Sequence, residues 1–207
     1  KKLKIVSRHG VGYDNIDYQE LKKRNIPLTI VGDINSTSVS EHTMMLIISV
    51  FKKIILADFS TRNSLWNYRN NYEPRELYGK NLLIIGFGRI GKKLIKRCLA
   101  FDTKVYIYDP YVDEKIIKEF GGIKVDKIEN GLKIADYVSL HMPLTNETKN
   151  LINYTALKTM KKNSIIVNTA RGGIINELDL EKALNEGLIF GAALDVFSKE
   201  PVEINNL

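Results

Sequence analysis

Leu82-Leu83-Ile84-Ile85-Gly86-Phe87-Gly88-Arg89-Ile90-Gly91 is the stretch from which the fold of this chain can be read. Four apolar residues make a buried strand, three glycines spaced as Gly-x-Gly-x-x-Gly follow at once, and the helical pattern of Ile90 to Phe101 begins inside the glycine turn. Each glycine has a physical role in such a turn. Gly86 permits the tight turn, Gly88 lets backbone approach a pyrophosphate, and Gly91 lets the helix lie close to the strand. The helix start then aims unpaired N–H groups and its positive dipole end at the phosphates. Three glycines in six residues also occur in ordinary loops, so the pattern counts only in its setting. Here the next apolar run, Lys104 to Tyr108, ends at Asp109, eighteen residues after Gly91, where a carboxylate can accept hydrogen bonds from an adenosine ribose. Asp109 also precedes Pro110, and an Asp-Pro turn is its purely structural alternative. As a ligand-binding group its negative charge repels a 2′-phosphate, which favours NAD over NADP. A flavin would suit the same turn.

Outward from this turn, strand-like runs (Leu82 to Ile85, Lys104 to Tyr108, Tyr137 to Leu140, Ser164 to Asn168, Ile189 to Leu194) alternate with helical ones (Ile90 to Phe101, Asp113 to Phe120, Tyr154 to Lys161, Glu177 to Glu186). Alternation of this kind predicts an α/β fold, and continuous apolar strands predict a parallel sheet covered on both faces. Right-handed crossovers make that sheet doubly wound. Residues 1–34 differ: a strand (Leu3 to Val6), a short helix (Asp17 to Arg24) and a second strand (Ile26 to Val31) are interrupted by Gly10, Gly12 and Pro27. Residues 35–207 form the nucleotide-binding unit. It begins with one long apolar helix, from about Val39 to Leu56, whose Ser38-x-x-Glu41 start matches a capping box. Met44 to Ile48, Val50 and Phe51 leave that helix little polar face, so it packs inside the domain or against another subunit.

The chain has 207 residues and a formal net charge of +7. Its lysines are spread over many segments rather than gathered into an arginine-rich arm, which argues against a nucleic-acid partner. No apolar run approaches the roughly 20 residues that span a bilayer, so no membrane partner is expected and a cytoplasmic location is. The single cysteine, Cys98, falls in a helical pattern and reads as a buried structural thiol. No metal is expected.

Two further stretches carry chemistry. Asn168-Thr169-Ala170-Arg171-Gly172-Gly173 ends one strand, and Ala192-Ala193-Leu194-Asp195-Val196-Phe197, with Glu200-Pro201, ends the next. Open α/β sheets place ligands at these carboxyl ends. An arginine there can grip a substrate carboxylate through two charge-assisted hydrogen bonds while polarising a neighbouring carbonyl. Glu200 has the chemistry to hold a protonated histidine and raise its pKa.

Taken in order, Gly86 to Gly91, Tyr108-Asp109-Pro110-Tyr111, Ala135 to Thr145, Asn168 to Gly173, and Ala193-Leu194-Asp195-Val196-Phe197 with Glu200-Pro201 resemble the D-isomer-specific 2-hydroxyacid dehydrogenases over essentially the whole chain. Arg8 to Asp17 resembles the loop that ends that family's first substrate-lobe segment. The resemblance implies a Rossmann-type NAD-binding domain in 35–207 and, in 1–34, a remnant of a flavodoxin-like substrate lobe with its hinge. It implies that Arg171 binds the substrate's carboxylate and keto oxygen, that Glu200 partners the catalytic histidine, and that Asp195 lies near the nicotinamide carboxamide. It further implies that Arg89 and Ile90 lie over the pyrophosphate, that Thr169 and Ala170 line the nicotinamide, and that Val11 and Gly12 offer backbone amides to the substrate carboxylate. The helix from Val39 resembles the family's dimer-forming helix, so a homodimer through residues 39–56 is expected.

The implied reaction is hydride transfer between NAD and a small 2-hydroxy or 2-keto acid. 3-Phosphoglycerate dehydrogenase, of serine biosynthesis, is the first subgroup, ahead of glycerate, glyoxylate and lactate types. A histidine must move the hydroxyl proton, and the family's lies beyond Glu200 in a segment past Leu207. Three histidines are present. His9 has a solvent-exposed or hinge role, His42 a packing or interface role, and His141, followed by Met142-Pro143, lines the cofactor cleft or is structural. None replaces the missing acid, so the chain reads as a piece expected to bind NAD and turn over little or nothing. The alternative is an NAD-sensing scaffold, resembling co-repressors built on the same fold.

Overall fold

The computed structural model describes residues 2–71 and 73–202. Its first unit is small: β1 (Val6–Arg8), α1 (Tyr18–Lys23) and β2 (Leu28–Ile30) form a two-stranded parallel sheet closed by one helical crossover. Asp17 caps α1 by accepting from the Glu20 N–H, and Lys22 and Lys23 sit at its C-terminal end, where a helix favours cations. The expected strand at Leu3 to Val6 starts instead at Val6, because pairing with β2 begins at the Val6–Leu28 register. Leu3 and Ile5 precede the ladder and are exposed.

The long helix expected from Val39 to Leu56 is two helices, α2 (Ser36–Lys52) and α3 (Ile54–Arg62). Lys53 adopts a left-handed conformation, φ 47° and ψ 42°, and ends one helix as it starts the other. A non-glycine residue at this conformation leaves no break in an apolar periodicity. The capping box is not formed either. α2 starts earlier, with Asn35 at its N-cap and no side-chain capping bond, so Ser38 lies inside the helix and Glu41 pairs with Arg97 at 2.7 Å. After α3, residues Trp66–Asn70 make a short 3-10 helix.

The main body is a six-stranded sheet of β3 (Asn81–Ile85), β4 (Lys104–Tyr108), β5 (Ile123–Lys124), β6 (Tyr137–Leu140), β7 (Ile165–Asn168) and β8 (Gly191–Leu194). Its order is β5-β4-β3-β6-β7-β8 and every pairing is parallel. Between the strands run α4 (Arg89–Leu99), α5 (Glu114–Glu119), α6 (Ile128–Ile134), α7 (Tyr154–Thr159) and α8 (Glu177–Asn185). The short strand β5 and helix α6 lack a strong periodicity and are not marked by the sequence patterns. Leu82–Ile85 and the whole of β6 and β7 are buried, as central strands with helices on both faces must be.

Two cores follow from the two faces. Leu82, Ile84, Val105, Ile107, Tyr137 and Val167 meet α2 and α4, while Leu83, Ile85, Val138 and Ile166 meet α6 to α8. α4 shows why its sequence folds this way: Gly91, Leu94, Ile95 and Cys98 recur at helical spacing and are buried, with lysines and arginines on the opposite face. Cys98 is buried as expected, and burial pushes its thiol up to about 12, so it is an apolar filler beside Met44. Strand order reverses between β3 and β6, which leaves a crevice at their carboxyl ends. Among the described residues no helix is long and apolar enough to cross a membrane.

Candidate functional site

The crevice begins at the glycine turn. Gly86 has φ +92°, and a Cβ built there would lie 2.6 Å from the His141 carbonyl, so the chain crosses the switch point only because no side chain is present. A Cβ on Gly91 would meet the Gly86 carbonyl at 2.6 Å, which is the close helix-to-strand approach expected of the third glycine. Gly88 is the N-cap of α4, without a side-chain capping bond, and a Cβ there would meet nothing within 4 Å. The middle glycine therefore borders open space in front of the helix N-terminus. That cradle fits a pyrophosphate. Arg89 and Ile90 lie in the first turn of α4, and Arg89 Nη1 donates to the Gly32 carbonyl at 3.2 Å.

Asp109 stands where β4 ends beside this turn. Its Oδ2 accepts from the Phe87 N–H at 2.7 Å and its Oδ1 from the Tyr111 N–H at 2.9 Å. The turn-forming role and the position suited to a ribose thus coincide in one carboxylate. Across the switch point, His141 follows β6, and its N–H donates to the Ile85 carbonyl at 2.8 Å. Its Nε2 lies 2.7 Å from Ser139 Oγ, while Nδ1 is buried without a partner among the described residues. Burial holds its pKa down to about 3, so this imidazole is neutral at physiological pH and is no proton donor there. Pro143 continues the same loop, its carbonyl accepting from Thr148 Oγ1 at 2.7 Å.

The loop after β7 is shaped by Asn168, whose Oδ1 accepts from the Ala170 N–H at 3.0 Å and whose Nδ2 donates to the Arg171 carbonyl at 2.8 Å. This fold buries Thr169 and Ala170 and sends Arg171 outward. Arg171 Nε donates to Asp14 at 2.6 Å, and Nη2 lies so close to Gly12 that any side chain at 12 would collide with it. Arg171 and the Val11-Gly12 loop, 159 positions apart in sequence for Gly12 (171 − 12), are thereby brought together. Asp14, absent from the sequence-based site, answers the arginine's charge.

The loop after β8 carries Asp195 and Glu200. Glu200 Oε1 accepts from the Phe197 N–H at 2.9 Å, so in this structure it serves its own loop. Asp195 Oδ1 lies 3.3 Å from Nε2 of His42, so that histidine reaches from α2 to the loop after β8. Next to it, Thr43 Oγ1 lies 3.0 Å from Thr169 Oγ1. Neither α2 residue could be assigned from sequence, because both are more than 120 positions from their partners. His9 is exposed, in keeping with its expected solvent-facing role.

A family model for the D-isomer specific 2-hydroxyacid dehydrogenase NAD-binding domain matches residues 44–207. The chain belongs to this family. Its relatives include the D-3-phosphoglycerate dehydrogenase of Methanocaldococcus jannaschii, 43% identical over 207 residues, which cover 100% of this chain and 39% of that protein. The glyoxylate reductase of Thermococcus litoralis is 40% identical over 97% of this chain and 62% of its own length. Among solved structures, the D-lactate dehydrogenase of Aquifex aeolicus, complexed with NAD and lactic acid, superposes with a TM-score of 0.87 at 34% identity, over 95% of this chain and 59% of that one. The chain spans between about two fifths and three fifths of the length of these relatives. As a 2-hydroxyacid dehydrogenase NAD-binding domain, it takes NAD as cofactor.

Proposed function

We propose that this 2-hydroxyacid dehydrogenase chain serves hydride transfer between NAD and a D-2-hydroxy or 2-keto acid, with 3-phosphoglycerate as the first substrate to test and glyoxylate the second. The observation that carries the reading is the meeting of Arg171 with Gly12 at the carboxyl edge of the sheet. A guanidinium backed by an acidic partner, Asp14, and facing a glycine-lined loop suits a small carboxylate. Val11 and Gly12 supply backbone N–H groups to that carboxylate, and Arg171 polarises the keto oxygen. Bound NAD supplies the hydride acceptor. Asp195 and Thr169 orient its nicotinamide ring, Ala170 lets the ring lie against backbone, and Asp109 selects the unphosphorylated ribose.

Glu200 is the group we assign to orienting and charging an acid/base histidine. None of His9, His42 and His141 fits that role, since Glu200 accepts from the Phe197 N–H and none of the three is paired with it among the described residues, and burial holds His141 neutral. We assign the proton-moving histidine to a segment outside these 207 residues, and residues 1–34 to a substrate-binding unit distinct from the NAD-binding unit of 35–207. The 207 residues by themselves then bind NAD without sustained turnover.

The exposed apolar surface of α2 and α3, with Met45, Ile55 and Leu56 around a groove of about 680 Å³, supports a homodimer through this face. The deciding experiment measures NADH oxidation by the full reading-frame product with 3-phosphohydroxypyruvate, glyoxylate and pyruvate. Turnover of one of them is expected. NADH binding without turnover of any would favour an NAD-sensing scaffold instead.

A further inference from the structure

α2 does more than cover the sheet. Its buried face changes character along its length: Met44, Ile47 and Phe51 enter the apolar core, whereas Ser36, Ser40 and Thr43, nearer its start, are buried polar residues. From this polar half, Thr43 and the adjacent His42 reach the loops leaving β7 and β8, which carry Thr169 and Asp195. Two successive residues make the contacts, Thr43 to Thr169 at 3.0 Å and His42 to Asp195 at 3.3 Å.

Hydrogen-bond valence fixes the direction of the first contact. The Thr43 hydroxyl has one proton and donates it to the Val39 carbonyl at 2.8 Å. The Thr169 hydroxyl is therefore the donor to Thr43, and its remaining capacity is to accept. Asp195 accepts only, because it is a carboxylate, and its Oδ1 is the oxygen facing His42, which leaves Oδ2 available to another donor. Both groups at this end of the crevice are thus held as acceptors, a polarity that suits the two N–H donors of a carboxamide and rejects a ring substituent that has none.

We propose that His42 and Thr43 are positioning residues for the nicotinamide end of the cofactor, fixing Asp195 and Thr169 as acceptors for its carboxamide N–H groups. This rests on the proposed function, in which Asp195 and Thr169 adjoin the nicotinamide. The two residues act through Asp195 and Thr169, so their signature is selective: recognition of the carboxamide is lost while the adenosine and pyrophosphate contacts at Asp109 and Gly88 remain.

The test is calorimetric titration of the purified protein with NADH, with the reduced 3-acetylpyridine analogue, whose ring substituent lacks N–H donors, and with ADP-ribose, which lacks the ring. Wild type should bind NADH about tenfold tighter than the analogue, the scale of one charge-assisted hydrogen bond. His42→Leu and Thr43→Val should each weaken NADH binding about three- to tenfold and leave the analogue and ADP-ribose within about twofold. His42→Gln, which keeps an N–H near the position of Nε2, and Thr43→Ser should restore most of the preference. Unchanged NADH affinity in both apolar variants overturns the proposal. An equal loss for NADH and ADP-ribose also overturns it, since that is what damage to the domain alone would give. A wild type that binds NADH no tighter than ADP-ribose overturns the assignment of Asp195 and Thr169 to the nicotinamide, and this inference with it, before any variant is read.

Discussion

The carboxylate of Asp109 ties the end of β4 to the glycine turn, accepting from the Phe87 N–H at 2.7 Å while its second oxygen holds the Tyr111 N–H. Phe87 is itself buried, so its N–H has little access to water. Asp109→Asn keeps an acceptor but removes the charge that repels a 2′-phosphate. The ratio of NADH to NADPH affinity should fall by about tenfold or more in calorimetry; an unchanged ratio would show that charge at 109 does not set the preference. Asp109→Ala leaves the buried N–H unpaired and should lower unfolding free energy by about 1–3 kcal/mol in urea titrations.

Gly86 and Gly88 should behave in opposite ways. An alanine at 86 meets the His141 carbonyl and must hold φ near +92°, so Gly86→Ala should cost about 2 kcal/mol or more of stability. Gly88→Ala points into open space from an extended backbone and should leave stability within about 0.5 kcal/mol. Its cost should appear only with ligand, as a loss of NADH affinity on the order of tenfold. Denaturation without ligand beside NADH titration separates the two effects.

His141 gives the fold a pH dependence of predictable sign. Burial lowers its folded-state pKa to about 3, below the unfolded value near 6.5. Above the unfolded pKa both states are neutral and this residue adds no slope. As pH falls from about 6.5 toward 3, the unfolded chain takes up a proton that the folded chain refuses, so stability drops by up to about 1.4 kcal/mol per pH unit. Urea unfolding at pH 7 and pH 5 should show this fall in wild type. His141→Asn should reduce the difference by about one proton's worth even if it is less stable at both values, and an identical slope would contradict the assignment.

The ion pair of Arg171 with Asp14 is partly exposed, with side-chain exposures of 38% and 53%. Exposed pairs contribute little, so Asp14→Asn should change stability by less than about 1 kcal/mol. If Arg171 receives a substrate carboxylate, removing the resident one should also tighten pyruvate or oxalate binding to the NADH-loaded protein. Gly12→Ala, which displaces the guanidinium, should weaken it. Fluorescence titration of bound NADH reads both, and matching affinities in the two variants would remove Arg171 from the carboxylate site.

Local sequence determined the nucleotide-binding unit. Continuous apolar strands, the glycine spacing at 86, 88 and 91, and the amphipathic face of α4 act within a few residues of themselves, and Lys104–Tyr108 and Tyr137–Leu140 have the bounds their patterns predict. The break at Lys53 left no such mark, because a left-handed lysine is decided by how α2 and α3 pack rather than by local propensity. The site divided along the same line. Glycine and motif residues announced themselves, whereas Asp14 on Arg171, His42 on Asp195 and Thr43 on Thr169 are pairings across more than 120 positions. The types of these partners, a carboxylate, an imidazole and a hydroxyl, are common on any surface. Only the tertiary structure, which lays α2 and the Gly12 loop over the carboxyl ends of β7 and β8, gives them partners, because contact between distant segments is set by the crossovers of the sheet and not by the residues' own spacing.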